Sequence, residues 1–313
     1  MDGRELEKEL RHRDVRDLAW AITSPPLCRP PPVDPEPWLV SESERAQRTQ
    51  LRSWLFELDA APASLCAFLA ARPSRRLGHR FQHLHRFWFD HDPRLRCLAE
   101  SLTISSVDGR TLGELDFVYA DNDRVVHLEV AVKFYLRAAP EARLASYVGP
   151  SLRDRFDFKF DSLLHRQSRR LDLAETRLAL AKLGIDERAV KREVRLRGVL
   201  YEPFGEDWPR PREIDPDCLS GLWITFDDFR RLDDLTGCWR MVEREHWFSG
   251  PELDRPCLNR DGLSRILAAL SAPTQVFEYD GSQVVRRLFI VGPDFAQRAR
   301  AFAEPNSVEP RSA

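Results

Sequence analysis

A predicted helix is followed directly by three predicted strands joined by short polar turns. The spacing of apolar residues changes there from a helical repeat to every second residue, and this change most constrains the fold. The helix is predicted over residues 77–91, where apolar residues repeat at helical spacing: Leu77, Phe81, Leu84 and Trp88. Strands are predicted over 97–106, 111–120 and 125–136. The first turn contains Asp-Gly, which supplies the positive φ of a tight hairpin. The three strands therefore predict an antiparallel meander.

The rest of the chain places this meander among further helices and strands. Before it, the sequence predicts a helix over 5–22, a Pro-rich extended connector over 23–37 and two helical segments within 41–71. After it come a long helix over 153–183 and a fourth strand over 194–204. Weaker patterns predict a short strand and a helix start in GLWITFDDFRRL, a helix over 262–270 and a hairpin over 274–292. The order around the meander is α, β, β, β, α, β, an α/β (α+β) class.

Four regions follow from this order. They are an N-terminal helical region with its connector (1–72), a core (73–204), a C-terminal α+β extension (205–303) and a flexible tail (304–313). Residues 205–300 either form a separate domain or extend the sheet of the core. The second is favoured because the region is short and poor in strands.

Composition restricts the class of protein. The formal net charge is −2, so any nucleic-acid surface must be local. No apolar run is long enough for a membrane helix, and the charged N-terminus lacks the apolar core of a secretory signal. The six cysteines form no CxxC pair, which argues against a zinc site and a disulfide scaffold. We therefore expect a cytoplasmic protein with reduced thiols and no membrane partner.

Charged residues alternate with apolar ones on the second and third strands. Glu114 and Asp116 share one face of the second strand, and Glu129 and Lys133 share a face of the third with His127. If the meander pairs as its turns indicate, Asp116 and Glu129 approach each other. Neighbouring carboxylates repel unless a cation lies between them, and Mg²⁺ prefers oxygen ligands. The pattern thus indicates a metal site.

The alternative is a solvated outer face, because one side of an antiparallel sheet often faces water. Two features weigh against it. The opposite faces are strongly apolar, and the third strand is nearly continuously apolar apart from its three charged or titratable residues. Both features indicate partial burial, and buried charges are usually paired or bound to metal.

The whole pattern resembles a known superfamily. The segments that carry the resemblance are LGHRFQHLHRFWF, GELDFVY, HLEVAVKFYL, YVGPSLRDRFDFKFDSLLHRQ and RLRGVLYEP, within about residues 40–295. They resemble the PD-(D/E)xK nucleases and, within that fold, the bacterial domain of unknown function 1853 family. The resemblance implies a restriction-endonuclease-like αβββαβ core with an N-terminal helical region and a C-terminal α+β extension.

The resemblance also implies roles for individual residues. Asp116 and Glu129 would be ligands of Mg²⁺ or Mn²⁺, and Lys133 the catalytic lysine. Gln82 stands where the superfamily often has a glutamate. The lysine of the motif normally follows the acid by two positions, which is Ala131 here; Lys133 is four positions on. In a straight strand that separates the Cα atoms by about 13 Å rather than about 7 Å. Lys159 is a second source of positive charge.

Basic residues border the suspected site. We expect Arg80, Arg155, Lys159 and Arg166 to contact nucleic-acid phosphates, although an ordinary solvated helix face explains such residues equally well. His79 and His83 are four residues apart, but no acidic HExxH pattern accompanies them, so packing or a phosphate contact is favoured over zinc. The tryptophans are assigned to the core by default, with base stacking as the alternative.

Two functions follow from these features. The first is a magnesium-dependent phosphodiesterase acting on DNA or RNA, with Gln82 or Glu114 completing the metal shell. The second is a catalytically inactive, nuclease-like module that binds nucleic acid or protein. Its motivation is the amide at Gln82 and the long spacing from Glu129 to Lys133.

Overall fold

A computed structural model of the chain describes residues 6, 9–29, 48–122, 124–231, 237–251, 256–270, 272–281 and 283–304. The predicted tail beyond residue 304 lies outside these residues, as do most of the Pro-rich connector and the start of the segment predicted over 41–71.

Within the described ranges, the helices bounded before the first strand are α1 (Arg13–Thr23), α2 (Arg48–Ala60), α3 (Ala63–Ala70) and α4 (Leu77–His91). The helix predicted over 5–22 is interrupted. Leu6 and Glu9 are helical, but His12 is extended, its ring Nδ1 accepts a hydrogen bond from the Asp14 backbone N–H, and α1 begins at Arg13. Helix α4 has the predicted bounds. Its apolar stripe is buried, with Phe81 and Leu84 fully inaccessible to solvent.

The meander is confirmed. Strands β1 (Leu95–Ser105), β2 (Thr111–Asp121) and β3 (Arg124–Arg137) pair antiparallel in sequence order. The β2–β3 ladder runs from Asp121↔Arg124 to Phe117↔Leu128. A two-residue strand β4 (Tyr147–Val148), which was not predicted, pairs with the end of β3.

The long helix predicted over 153–183 is wrong as a single element. The structure has α5 (Phe156–Asp161), a π-helical turn (Ser162–Gln167), a 3-10 turn (Ser168–Asp172) and α6 (Ala174–Lys182). Leu171 and Leu180 are buried in the same apolar cluster. At 100° per residue, one straight α-helix would put them on opposite faces. The extended backbone of Leu173 redirects the chain, so that both leucines face the interior.

The C-terminal half contributes further strands and helices. Its elements are β5 (Val190–Pro203), β6 (Ser220–Thr225), α7 (Phe226–Arg231), β7 (Cys238–Met241), α8 (Arg260–Ala268), β8 (Thr274–Asp280), β9 (Gln283–Val291) and α9 (Phe295–Ala303). Strand β7 and helix α9 were not predicted. Strand β7 has only four residues, too few for apolar and polar residues to show a clear alternation. In α9 two of the three buried residues are alanines, which differ little in hydrophobicity from the exposed positions.

Within the described residues the strands form one nine-stranded sheet in the order β1-β2-β3-β5-β6-β9-β8-β7, with β4 beside β3. Most pairs are antiparallel, whereas β5–β6 and β6–β9 are parallel. The fold is therefore mixed α/β, as the sequence predicted.

The chain divides into two compact units made of non-contiguous segments. The first unit comprises Met1–Cys28, Lys133–Lys159 and Arg197–Ala313; the second comprises Arg29–Val132 and Phe160–Leu196. Three of the divisions fall inside β3, α5 and β5. The four regions predicted along the chain stay a prediction, because units defined by contact need not follow sequence order.

Each unit has its own apolar core. In the second unit Ile104, Leu115 and Val118 of the meander pack with Leu171, Leu180 and Val190. In the first unit Phe229 and Trp239 pack with Leu263, Val276 and Leu288. Burying one such side chain is worth about 1.5–3 kcal/mol, so these clusters fix where the polar residues beside them lie.

The cysteines do not all remain thiols. Cys238 and Cys257 form a disulfide in the first unit, which corrects the expectation of reduced thiols for this pair. Their Cα atoms are 5.4 Å apart, because the backbone of Trp239 pairs with that of Leu258. Spacing along the chain gives no sign of this contact. No helix in the part of the chain that the structure describes is long and apolar enough to span a membrane.

Candidate functional site

Asp116 lies at the point where the β2–β3 ladder ends. Its Oδ2 accepts a hydrogen bond of 2.9 Å from the backbone N–H of Val130, in place of a strand partner. Its Oδ1 accepts a hydrogen bond of 3.0 Å from Nε2 of Gln82 on α4. The structure therefore brings together two of the predicted site residues, Gln82 and Asp116, beside the backbone that carries Glu129.

Glu129 is fully buried on β3 and has two cationic or titratable neighbours. Nε2 of His127 donates to its Oε1 at 2.9 Å, and Nη1 of Arg170 lies 3.8 Å from the same oxygen. The other carboxylate oxygen, Oε2, is buried and has no hydrogen-bond partner among the described residues. An unsatisfied buried carboxylate oxygen is costly, which makes it a place for a ligand.

Arg170 reaches this carboxylate by crossing β2. Its Nη1 donates to the backbone oxygen of Glu114 at 2.6 Å. The crossing requires glycine at position 113, where φ is +156° and a Cβ atom would overlap the guanidinium. The glycine that opens GELDF thus admits a positive charge to the side of Glu129.

Lys133, the predicted catalytic lysine, belongs to the first unit and is ion-paired there with Asp154. Oδ2 of Asp154 also accepts a hydrogen bond of 3.1 Å from the hydroxyl of Tyr135. Burial raises the pKa of Tyr135, and the negative charge of Asp154 raises it further, so the phenol stays protonated and donates. The ammonium of Lys133 is thus held by a carboxylate of its own unit.

A basic cluster lies where α3 leads into α4. Burial lowers the pKa of His83, and the nearby positive charges of Arg72, His79 and Arg80 lower it further. Arg72 and His79 are exposed, whereas Arg80 and His83 are half-buried. Mutual repulsion among these groups marks a surface that an anion would stabilise.

The other predicted phosphate contacts differ in exposure. Arg166 is exposed and Lys159 is half-buried. Arg155 is buried at 3% exposure, pairs with Asp157 and donates to the backbone oxygens of Phe302 and Glu304. Arg155 therefore stabilises the first unit, and we do not include it in a phosphate-binding surface.

Comparison with known proteins identifies a family. The family model described as Domain of unknown function (DUF1853) matches residues 16–305. This chain belongs to the DUF1853 family. No curated protein and no solved structure matches it.

In this DUF1853 chain, Asp116 and Glu129 are candidate ligands of a divalent cation at this site. The buried, unsatisfied Oε2 of Glu129 fits such a ligand. Gln82 lies beside Asp116 with Nε2 donating to Oδ1, so its amide would have to turn over to present its oxygen as a third ligand. Neither carboxylate belongs to a group of three or more His, Cys, Asp or Glu ligand atoms within 4.8 Å of one another, among the residues described. A cation here would therefore have few protein ligands, the usual situation for Mg²⁺.

Sequence reasoning missed two features of the DUF1853 site. The sequence assigns Arg170 no role at the site, and it does not predict the helix break that directs this side chain. Asp154 was not considered as the partner of Lys133. Gly113 was the available signal for Arg170, since a glycine within a strand often marks close approach of another group.

Proposed function

We propose that this chain is a divalent-metal-dependent phosphodiesterase, built on a restriction-endonuclease-like core and acting on nucleic acid. The observation that carries the proposal is the position of Asp116. Its carboxylate replaces a ladder contact at the end of the β2–β3 pairing and is bonded to Gln82 and to Val130 N–H, one residue from Glu129. Carboxylates on adjacent strands of a meander are a suitable arrangement for one hard cation.

Asp116 and Glu129 would hold Mg²⁺ or Mn²⁺, with Gln82 as a neutral third ligand. When bound, the cation would supply charge that polarises a phosphate and activates water. The buried setting of Glu129 supports the proposal because a cation would satisfy Oε2. Arg170 already lies 3.8 Å from Oε1, so its positive charge would partly offset the negative charge of Glu129.

Arg170 also supplies the positive charge that the motif normally takes from lysine. Lys133 is paired with Asp154, whereas Arg170 is 23% exposed beside Glu129. A guanidinium can contact two phosphate oxygens at once, and its charge does not depend on pH. We therefore assign Arg170 to the scissile phosphate, and Arg72 and Arg80 of the basic cluster to the flanking backbone.

Replacing Asp116 by Asn tests the proposal. Asn can still accept from Val130 N–H, and Gln82 can turn its amide to meet the new NH₂ group, so mainly charge is lost. We expect Mg²⁺-dependent cleavage of single- and double-stranded DNA and RNA to fall by about 100-fold or more. Isothermal titration should detect Mn²⁺ binding to wild type and not to Asp116→Asn.

The matched control is Asp108→Asn, in the exposed turn between β1 and β2. Asp108→Asn removes one negative charge, as Asp116→Asn does, and should leave the rate of cleavage and the binding of Mn²⁺ at wild-type values. Cleavage that survives in Asp116→Asn, or Mn²⁺ binding equal in both proteins, would exclude Asp116 as a metal ligand. Circular dichroism and the unfolding midpoint would show that the variant is folded.

A second function is favoured by a different observation. Glu129 already contacts His127 and Arg170, and Lys133 is paired with Asp154, as in a polar network that needs no metal. The corresponding proposal is a catalytically inactive module that binds nucleic acid or protein. It predicts salt-dependent nucleic-acid binding that Arg72→Glu weakens, with no Mg²⁺-dependent product from any substrate.

A further inference from the structure

A cavity of about 690 Å³ lies in the first unit, among residues that the site above does not use. Its apolar walls are Phe204, Trp208 and Trp223, and its rim carries Arg231 and Arg300. Ligand cavities in proteins measure about 300–1,000 Å³ and combine aromatic walls with a few polar groups. Both the size and the composition of this cavity are typical of a small-molecule site.

The cavity lies at the carboxyl ends of two parallel strands, a common position for ligand sites. Strands β5 and β6 are parallel, and the cavity is lined by Phe204, the residue after β5, and by Thr225, the last residue of β6. Ligands of open α/β sheets bind at the carboxyl ends of parallel strands, where loops diverge from a common edge.

The two indoles of the cavity are fixed by one buried residue, Arg137. The Arg137 guanidinium donates to the backbone oxygen of Trp208 at 3.0 Å and lies 5.3 Å from the centre of its ring. The backbone oxygen of Arg137 accepts a hydrogen bond of 2.8 Å from Nε1 of Trp223. Walls held in this way lose little freedom when a ligand enters, which favours binding.

The lining carries two guanidinium groups, Arg231 and Arg300, and two carboxylates, Asp228 and Glu206. Arg231 pairs with Asp228 at 3.4 Å, but both side chains are largely exposed. Arg300 is exposed on α9 and forms no ion pair with any residue that the structure describes. Guanidinium groups beside an aromatic wall suit a ligand that has a flat ring and an anionic group.

We propose that this cavity binds a planar aromatic anion of the nucleotide class, with a nucleoside monophosphate as the matching size. The base stacks against Trp208 or Trp223, and the phosphate contacts Arg300 and Arg231. The carboxylate of Glu206, which accepts from Nε1 of Trp208 at 3.1 Å, is a hydrogen-bond acceptor for the base or ribose. The proposal does not depend on the phosphodiesterase proposal.

Isothermal titration tests the proposal with adenosine, guanosine, cytidine and uridine 5′-monophosphate. EDTA is present, so that metal at Asp116 cannot contribute. We expect saturable binding of at least one nucleotide at one site per chain, with the matching nucleoside and inorganic phosphate each at least tenfold weaker. Asp116→Asn should bind equally well, which separates this result from the outcome of the cleavage assay.

Two variants identify the site. Arg300→Glu should weaken binding at least tenfold by reversing the rim charge, and Trp208→Ala should do so by removing a stacking surface. The matched control is Arg298→Glu, exposed on the same helix and not lining the cavity, which should leave affinity unchanged. No saturable binding of any of the four nucleotides overturns the proposal. An equal loss in Arg298→Glu and Arg300→Glu does so as well.

Discussion

Gly198 is the residue at which β5 passes closest to β3. Its φ is +154°, and a Cβ atom built there would collide with the backbone oxygen of Lys133. No side chain can move to relieve this contact, since the obstacle is backbone. Gly78, on the exposed side of α4, has no heavy atom within 4 Å of the same hypothetical Cβ. The two glycines are therefore present for different reasons.

This contrast predicts opposite effects of alanine. Gly198→Ala should lower the free energy of unfolding by about 3 kcal/mol or more, because both backbone conformation and close approach oppose it. Gly78→Ala should raise it by about 0.5–1 kcal/mol, because alanine is the better helix former. Urea unfolding of the two variants beside wild type measures both. A Gly198→Ala protein as stable as wild type would contradict the close approach.

Helix α4 shows which elements a sequence can predict. Its stripe and the alternation of β1–β3 are local patterns, so their bounds were predicted to within two residues. The bounds of the elements within 156–182 were not predicted. The helix break there allows Leu171 and Leu180 to pack in the same apolar core. That core also contains residues of β1, β2 and β5, which are distant in sequence.

The N-terminal half of α4 carries a prediction about pH. As pH falls below about 6.5, the unfolded chain protonates His83 before the folded protein does, since folding lowers the His83 pKa. His83 therefore weakens the fold in acid. Bound phosphates would offset the repulsion from Arg72 and Arg80, so an oligonucleotide should raise the His83 pKa.

NMR titration of the histidine ring signals measures this shift. Arg72→Gln should also raise the pKa of His83, by removing one of the charges that lowers it. Added chloride at the same ionic strength, in place of the oligonucleotide, provides the comparison. A His83 pKa that stays constant when nucleic acid is added would argue against this cluster as part of the phosphate surface.

At the scale of the whole molecule, the meander was predictable from the sequence, and the contacts within the site were only partly so. Asp116 and Gln82 were identified from their places in the αβββαβ order, and they do touch. The partners of Glu129 and Lys133 were not identified, because Arg170 and Asp154 follow the meander on segments whose direction depends on tertiary packing. Sequence patterns predict the face of a strand or helix on which a side chain lies, but they do not predict which residue it contacts there.

The Cys238–Cys257 disulfide gives a prediction at the same scale. It closes a loop with a sequence separation of 19, for which chain entropy gives a stabilisation of about 3 kcal/mol. Thiol titration of the denatured, unreduced protein should find the four other cysteines. Reduction should lower the unfolding free energy of wild type and have no effect on the double variant Cys238→Ser/Cys257→Ser. Six reactive thiols before reduction would contradict the pairing.

Arg137 has a consequence for how the molecule responds to chelators. Its guanidinium is surrounded by the carbonyl oxygens of Ala139, Pro140, Glu141, Trp208 and Pro209, with a carboxylate oxygen of Glu202 at 3.4 Å. Carbonyl and carboxylate oxygens converging on one positive centre are the shell that other proteins build around calcium. Here the cation is covalently part of the chain and cannot be extracted. EDTA should thus abolish the proposed nucleic-acid cleavage while leaving the cavity walled by Trp208 and Trp223 intact. Cleavage and nucleotide binding can therefore be separated with this one reagent.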